Sequence, residues 1–306
     1  MSVIAFDTSN YTTSIAYYNG TDGINCSKLL PVKEGELGLR QSDAVFQHVK
    51  SLPELSGRLF SNLDISTIRA VGVSTRPRAV EGSYMPCFMV GYTHAKMLAD
   101  ALHVPLIECS HQQGHVAASV WSAGNIELLD RPHLAWHLSG GTTELLLVEP
   151  VGANVVCTKI GGTTDISAGQ LIDRAGQLLQ LPFPSGKHLD VLSKETNSKD
   201  YFRVKCNNIE FSFSGVQNKV QQYFESKKDP AATAAYTLRS VGHAVLTATK
   251  NALTAYPGLP IVFSGGVASN SMLREITKQL NPIFSEPQYS TDNAMGVAIL
   301  TYRATE

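Results

Sequence analysis

The chain has 306 residues, 43% hydrophobic and 17% charged, so it can bury a sizeable core, and its length suggests two domains. Lys and Arg total 25 against 26 Asp and Glu, a net charge of −1 that excludes a bulk attraction for nucleic acid. Any RNA contact has to be a local patch. No apolar run is long enough to cross a bilayer, and Asp7 interrupts the N-terminus before a signal-peptide core forms. The five scattered cysteines make no Cys-x-x-Cys pair, and together these features predict a cytoplasmic protein with reduced thiols and no membrane association.

The first predicted element is a hairpin: residues 3–18 read as an apolar strand, a tight Ser/Thr turn and a second apolar strand. Ala70–Thr75 is the next strand and Gly91–Leu102 a helix. Leu106-Ile107 then leads into Cys109-Ser-His-Gln-Gln-Gly-His115. Residues 133–148 repeat the opening hairpin at an offset of 130: Ala5 falls on Ala135, Phe6 on Trp136, Ser9 on Ser139 and Thr12-Thr13 on Thr142-Thr143. A recurrence at that distance suggests a duplicated domain rather than a solenoid. The expected division is an N-terminal domain over 1–108, with the last helix (290–306) packing back on it, and a C-terminal domain over 109–289. Further on, Asp165–Leu181 has helical periodicity and stops at Pro182, while Glu225–Asp229 reads as a solvated loop. Residues 231–256 are predicted helical, Pro260–Phe263 a buried strand, and Asn293–Arg303 a terminal helix.

Chemistry enters with His111 and His115. Four residues apart on a helix, they share one face within reach of a single divalent ion, but a pair without a third donor is half a site. Asp292 is an available third donor, although a carboxylate before the last helix is an equally good N-cap. His137 sits at the repeat position of Asp7 and reads as a hydrogen-bonded residue at a strand end. Two imidazoles and one carboxylate suit zinc or iron(II). Ser139-Gly140-Gly141, Gly161-Gly162 and Ser264-Gly265-Gly266 are predicted glycine turns after strands, able to close backbone N–H groups on a phosphate. None has the P-loop or Rossmann pattern. A zincin protease is disfavoured because Gln112 stands where the general-base glutamate of His-Glu-x-x-His would be.

These residues together resemble the tRNA N6-adenosine threonylcarbamoyltransferase family (TsaD, formerly Gcp or O-sialoglycoprotein endopeptidase). The motifs occur in the family's order over nearly the whole chain: Asp7-Thr-Ser9, His111-Gln-Gln-Gly-His115, Leu138-Ser-Gly-Gly-Thr-Thr143 and Asp165 to Asp173. Leu181-Pro-Phe-Pro-Ser-Gly186, Phe211-Ser-Phe-Ser-Gly215, Ser264-Gly-Gly-Val-Ala-Ser-Asn270 and Ser290-Thr-Asp-Asn293 follow. The resemblance implies an α/β, duplicated actin-like and Hsp70-like ATPase (ASKHA) fold, two related domains around a nucleotide cleft. It implies transfer of a threonylcarbamoyl group from threonylcarbamoyl-adenylate to N6 of adenosine 37 in tRNAs reading ANN codons, with release of AMP. It implies His111, His115 and Asp292 as ligands of one divalent metal ion, Fe(II) or Zn, with His137 where some members place a further ligand. His137, Leu138, Ser139, Gly140, Gly141, Asp173, Gly186, Asp190 and Asn270 match the adenylate-binding residues. The implied partners are tRNA and accessory proteins of the TsaB-like and TsaE-like types.

Two positions depart from the family pattern. Ser9-Asn10-Tyr11 stands where the family has Ser-Cys-Asp, and Arg76-Pro77-Arg78 replaces its Gly-Pro-Gly loop. Both leave the metal and nucleotide residues intact and bear on the acceptor. A carbamoyl-type transferase of the same fold with another acceptor, and a silent nucleotide-binding scaffold, therefore stay open beside the tRNA enzyme.

Overall fold

The structure, a computed structural model, describes residues 1–31, 39–61 and 63–306. Two compact units divide the chain: Met1–Arg131, Glu149–Cys157 and Gln288–Glu306 form the first, Pro132–Val148 and Thr158–Pro287 the second.

In the first unit the predicted hairpin is β1 (Ser2–Thr8) and β2 (Thr12–Tyr18), extended by antiparallel β3 (Gly23–Leu29). Helix α1 (Gln41–Phe60) precedes β4 (Ile68–Arg76), and α2 (Phe88–Leu102) precedes β5 (Leu106–Ser110), which passes directly into α3 (His111–Ser122). Because β4 pairs parallel to β1 and β5 parallel to β4, the sheet order is β3-β2-β1-β4-β5. Central β1 is buried at all seven residues, as expected of a strand covered on both faces. Ile4, Phe6, Ile15, Val71 and Val73 pack there with Leu52, Leu55 and Leu59 of α1.

The second unit repeats the plan. Hairpin β6 (His133–Leu138) and β7 (Thr143–Val151) is followed by β8 (Asn154–Thr163), α4 (Ala168–Leu178), α5 (Gly186–Leu192), β9 (Cys206–Asn207) and β10 (Glu210–Phe211). Then come α6 (Ser214–Lys227), α7 (Pro230–Ala255), β11 (Ile261–Ser264), α8 (Ser271–Thr277) and β12 (Ile283–Phe284). Finally α9 (Met295–Arg303) returns to the first unit. The sheet order is β12-β11-β6-β7-β8-β10-β9, so its first five strands mirror the five of the other unit. The register agrees as well. Val3 pairs with Tyr18 and Asp7 with Ser14; 130 residues on, His133 pairs with Val148 and His137 with Glu144. Trp136, fully buried, donates its Nε1–H to Thr249 Oγ1 of α7 at 2.8 Å.

Several expectations are corrected. The boundary expected at 108 falls at 131, so α3 lies wholly in the first unit, held there by its close packing on α9. Helix α4 starts at Ala168 rather than Asp165, because Ser167 and Gln170 form a capping box. Gly161-Gly162 is no turn. Both residues lie inside β8, where a side chain would strike Ile209 or the Thr143 backbone, so they serve close strand packing. Residues 225–227 finish α6, which the sequence reading missed, and Asp229 caps α7 through Ala232 N at 3.0 Å.

Candidate metal centre

The start of α3 is fixed by its own sequence. Ser110 Oγ accepts from Gln113 N while Gln113 Oε1 accepts from Ser110 N at 2.8 Å, a reciprocal cap on two otherwise unpartnered N–H groups. Gln113 Nε2 donates to Val155 O at 2.6 Å, and Gln112 N donates to Pro77 O at 3.0 Å. Gly114 then lets another helix approach. A Cβ there would lie 3.1 Å from Val297 Cγ2, and one on Gly296 would run into Gly114 O. The paired glycines bring the start of α9, and the residues just before it, against the first turn of α3.

That approach delivers Asp292 to the histidines. Its Oδ1 lies 3.2 Å from His115 Nε2 and 3.4 Å from His111 Nε2, and the two imidazole nitrogens are 2.9 Å apart. Asp292 does not cap α9. Asn293 does that work, its Oδ1 accepting from Met295 N at 3.1 Å. The alternative raised by the sequence is thus settled locally, and the carboxylate of Asp292 is committed to the imidazole pair. Behind them, Asp7 Oδ2 takes a 2.7 Å hydrogen bond from His111 Nδ1, and Asp7 Oδ1 accepts from Ser9 N at 2.9 Å.

The electrostatics follow. Burial would depress the His111 imidazole, but the Asp7 charge and a hydrogen bond to Asp292 outweigh it and hold the group up to about 10. Burial would raise Asp292, yet His111 and His115 hold its carboxyl well below the usual carboxylate range. Two carboxylates thus face two imidazoles, an excess of negative charge once the rings are neutral.

The donor set fits a divalent ion. Three donors separated by 2.9 to 3.4 Å match the edges of a coordination shell with bonds of about 2.1 Å. With the Nδ1–H given to Asp7, His111 presents Nε2 as a lone pair, the carboxylate–histidine arrangement common behind metal ligands. Among the described residues, His111, His115 and Asp292 are the group of His, Cys, Asp or Glu side chains able to share an ion. His137, expected as a possible fourth member, is not in that group and belongs to the second unit. The five cysteines are free, and burial pushes the Cys87 and Cys157 thiols up to about 12, which keeps them protonated and out of the ligand field.

The other expected site residues gather in the second unit. His137 and Leu138 end β6, and Ser139 closes the turn by donating its N–H to Thr142 O at 2.8 Å. An added Cβ on Gly140 or Gly141 would meet nothing within 4 Å, although the Gly140 backbone packs on Gly169 and its carbonyl accepts from Ser167 Oγ at 2.5 Å. Asp173 Oδ1 accepts from Ser185 N at 2.8 Å, next to Gly186 at the start of α5. Asp190 Oδ1 accepts from Ser271 N and Oγ, and Asn270 Oδ1 caps α8 through Met272 N and Leu273 N. These residues do lie on connected elements; Asp173 and Asn270 each spend one polar atom on local structure, and Asp190 spends both, its Oδ2 lying 3.5 Å from Lys194 Nζ. Burial raises the Asp173 carboxyl, the Ser185 hydrogen bond opposing.

Two site residues escaped the sequence reading. The sequence assigns Asp7 no site role, placing it in the opening Asp-Thr-Ser motif and at the repeat position of His137, and has Gln113 only as part of a motif. The available signals were a carboxylate ending an apolar strand and the Ser-x-x-Gln capping spacing.

Residues 36–299 match the family model described as TsaD, tRNA N6-adenosine threonylcarbamoyltransferase. The enzyme of that name from Carboxydothermus hydrogenoformans is 32% identical over 269 residues, covering 84% of this chain and 77% of the relative. The one from Kosmotoga olearia is 29% identical over 319 aligned positions, covering 99% and 93%. Among solved structures, HypF in its phosphate- and nucleotide-bound form aligns at TM-score 0.62 and 13% identity over 99% of this chain, which spans 47% of HypF. Component A of the Acidaminococcus fermentans (R)-2-hydroxyglutaryl-CoA dehydratase aligns at 0.55 and 14% identity, covering 99% and 98%. The two structural likenesses show a shared duplicated ASKHA-type ATPase fold. The sequence matches show more: this chain belongs to the tRNA N6-adenosine threonylcarbamoyltransferase family.

Proposed function

We propose that the chain transfers the threonylcarbamoyl group of threonylcarbamoyl-adenylate to N6 of adenosine 37 in tRNAs reading ANN codons. The new N–C bond replaces the C–O bond to phosphate, releasing AMP and a proton. The observation that carries this reading, beside family membership, is the convergence of His111, His115 and Asp292 with Asp7 behind them. Iron(II) or zinc held there would supply Lewis acidity toward an oxygen of the mixed anhydride. The chain's own work is positional. Asp7 fixes the tautomer of His111, and Asp292 supplies the negative charge. The exposed glycine turn at Gly140 and Gly141 suits a phosphate. Oδ2 of Asp173 suits a ribose hydroxyl, Asp190 shares its Oδ2 with Lys194 at 3.5 Å, and Asn270 Nδ2 is left as a donor. With His137, Leu138, Ser139 and Gly186 these make up the proposed adenylate site.

The cytoplasm is the proposed compartment. Among the described residues no helix is long and apolar enough to cross a membrane. Accessory TsaB-like and TsaE-like proteins are proposed from family membership.

One observation favours a second reading, a transferase with a different acceptor. Arg76-Pro77-Arg78 stands directly against α3 through the Gln112 N to Pro77 O bond, and Tyr11 is 42% exposed at the other departure. Mass spectrometry of tRNA nucleosides decides between them, in cells depleted of their own enzyme and supplied with this chain. Retention of threonylcarbamoyladenosine is expected. Its absence, with metal and nucleotide still bound by the purified protein, would shift the assignment to the second reading.

A further inference from the structure

Segment 199–207 runs beside α7 in the second unit. It is pinned there by Phe202 N donating to Ser240 Oγ at 2.9 Å and by Asn251 Nδ2 donating to Asn208 O. Its side chains alternate. Phe202, Val204 and Cys206 are wholly or partly buried, while Tyr201, Arg203, Lys205 and Asn207 are exposed. Arg203, Val204, Lys205 and Cys206, with Thr247 and Asn251 of α7, line an open groove of about 380 Å³.

The groove sits in a basic field. His243, one helical turn before Thr247, stacks on Tyr201 at 4.0 Å between ring centroids and 16° between planes. Burial, then the charges of Arg239 and Lys250, hold this imidazole below its ordinary value, so both cations face the same stretch of α7. Among the described residues no carboxylate forms an ion pair with Arg203, Lys205 or Arg239, and Arg239 Nε has no hydrogen-bond partner. Of the nearest acidic groups in sequence, only Asp200 has its carboxylate engaged, accepting from Tyr223 OH at 2.8 Å; Glu210 is the strand partner of Asn207.

An unpaired cationic strip on a chain of net charge −1 is a local feature of the kind a near-neutral nucleic-acid-binding protein needs. Unlike a bare lysine cluster, it has a groove beside it and, at one end, a tyrosine 41% exposed. Cations that track a backbone, next to an aromatic surface, are the elements with which proteins hold RNA strands. We infer that Arg203, Lys205 and the Tyr201–His243 stack form a docking strip for the phosphodiester backbone of RNA. The inference rests on the proposed function, and it assigns to the tRNA substrate a contact outside the metal centre and the adenylate residues.

Fluorescence anisotropy with an unmodified tRNA transcript tests it, across 50 to 300 mM salt, on wild-type protein, R203E/K205E, R203Q/K205Q, Y201A and the exposed control K96E. The expected loss for R203E/K205E is about tenfold or more, and its plot of log affinity against log salt is expected to be shallower by about two. The glutamine pair should fall between it and wild type. Y201A should weaken binding severalfold with the slope kept, and K96E should match wild type. Retained affinity and slope in both double variants, with wild-type melting curves and tRNA binding by the wild type, would overturn the strip alone. No tRNA binding by wild-type protein would overturn the functional reading and the strip together. Equal binding of anionic phospholipid vesicles, lost in the same variants, would assign the strip to a membrane surface instead.

Discussion

The hairpins β1–β2 and β6–β7 share one backbone plan and one pairing register, yet their ends have been put to different uses. The first ends in Asp7, fully buried and bonded to His111, a residue 104 positions away. The second ends in His137 and then Ser139-Gly140-Gly141, whose glycines are exposed. Duplication copies a scaffold; what each copy binds depends on which side chain stands at the strand end and what the neighbouring helix brings to meet it.

The sharpest way to break this contrast is to remove a donor. Asp292→Ala should lower metal affinity by more than about a hundredfold, beyond what loss of a supporting residue costs, and abolish transfer. Metal analysis after gel filtration reads it. Asp7→Asn leaves the donors in place but removes the charge behind His111, so affinity should fall by about ten- to a hundredfold. A chelator competition titration checks that number, and the matching His137→Gln change should leave it untouched.

A pH series sharpens the same point. The His111 pKa is raised in the folded protein, to about 10 from an ordinary 6.5. Its protonation therefore stabilises the metal-free fold fully below about pH 6.5, and that contribution fades as pH climbs toward 10. Urea melts in EDTA at pH 6.5 and 9 should show the decline, and metal affinity should rise over the same interval because the ion and the proton compete. In Asp7→Asn both trends should flatten.

Backbone proximity gives smaller effects. Gly114→Ala pushes a methyl toward Val297 and should cost about 1–3 kcal/mol by overpacking, whereas Gly140→Ala on the other hairpin should be near neutral. Thermal melts of the two variants separate them. Smallest is Asp165→Asn. Its carboxylate accepts from Phe213 N at 2.8 Å and Ser214 N at 3.1 Å at the head of α6. Burial would raise this group, but those bonds and Ser212 hold it well below the ordinary carboxylate value. Its contribution is therefore present above about pH 3.8 and lost as pH falls below it. Being exposed, it should be worth no more than about 1 kcal/mol at neutral pH in a denaturant titration.

What the sequence discloses depends on how local the physics is. The His111–His115 pair, the repeated hairpins and most of the long helices are legible because spacing along one element determines them. Asp292 could be named but not separated from a cap, since that choice turns on Asn293 taking the capping role. Asp7 stayed hidden because its partner is brought in by β5 and α3 from a distant stretch of chain. Gly161-Gly162 misled for the opposite reason: two adjacent glycines signal a turn, whereas here strand crowding requires them. Helix α6 was missed because its chain is polar, with only Val216 and Val220 buried.

The third donor lies 177 positions beyond the second. During synthesis, a growing chain can complete its opening sheet and both imidazoles while still unable to retain an ion, because Asp292 has yet to emerge. Metal capture would therefore report that both halves of the duplication have been made. A stalled or clipped product lacking the α9 region should be recognisable by its empty, two-legged cage long before any loss of catalysis is measured.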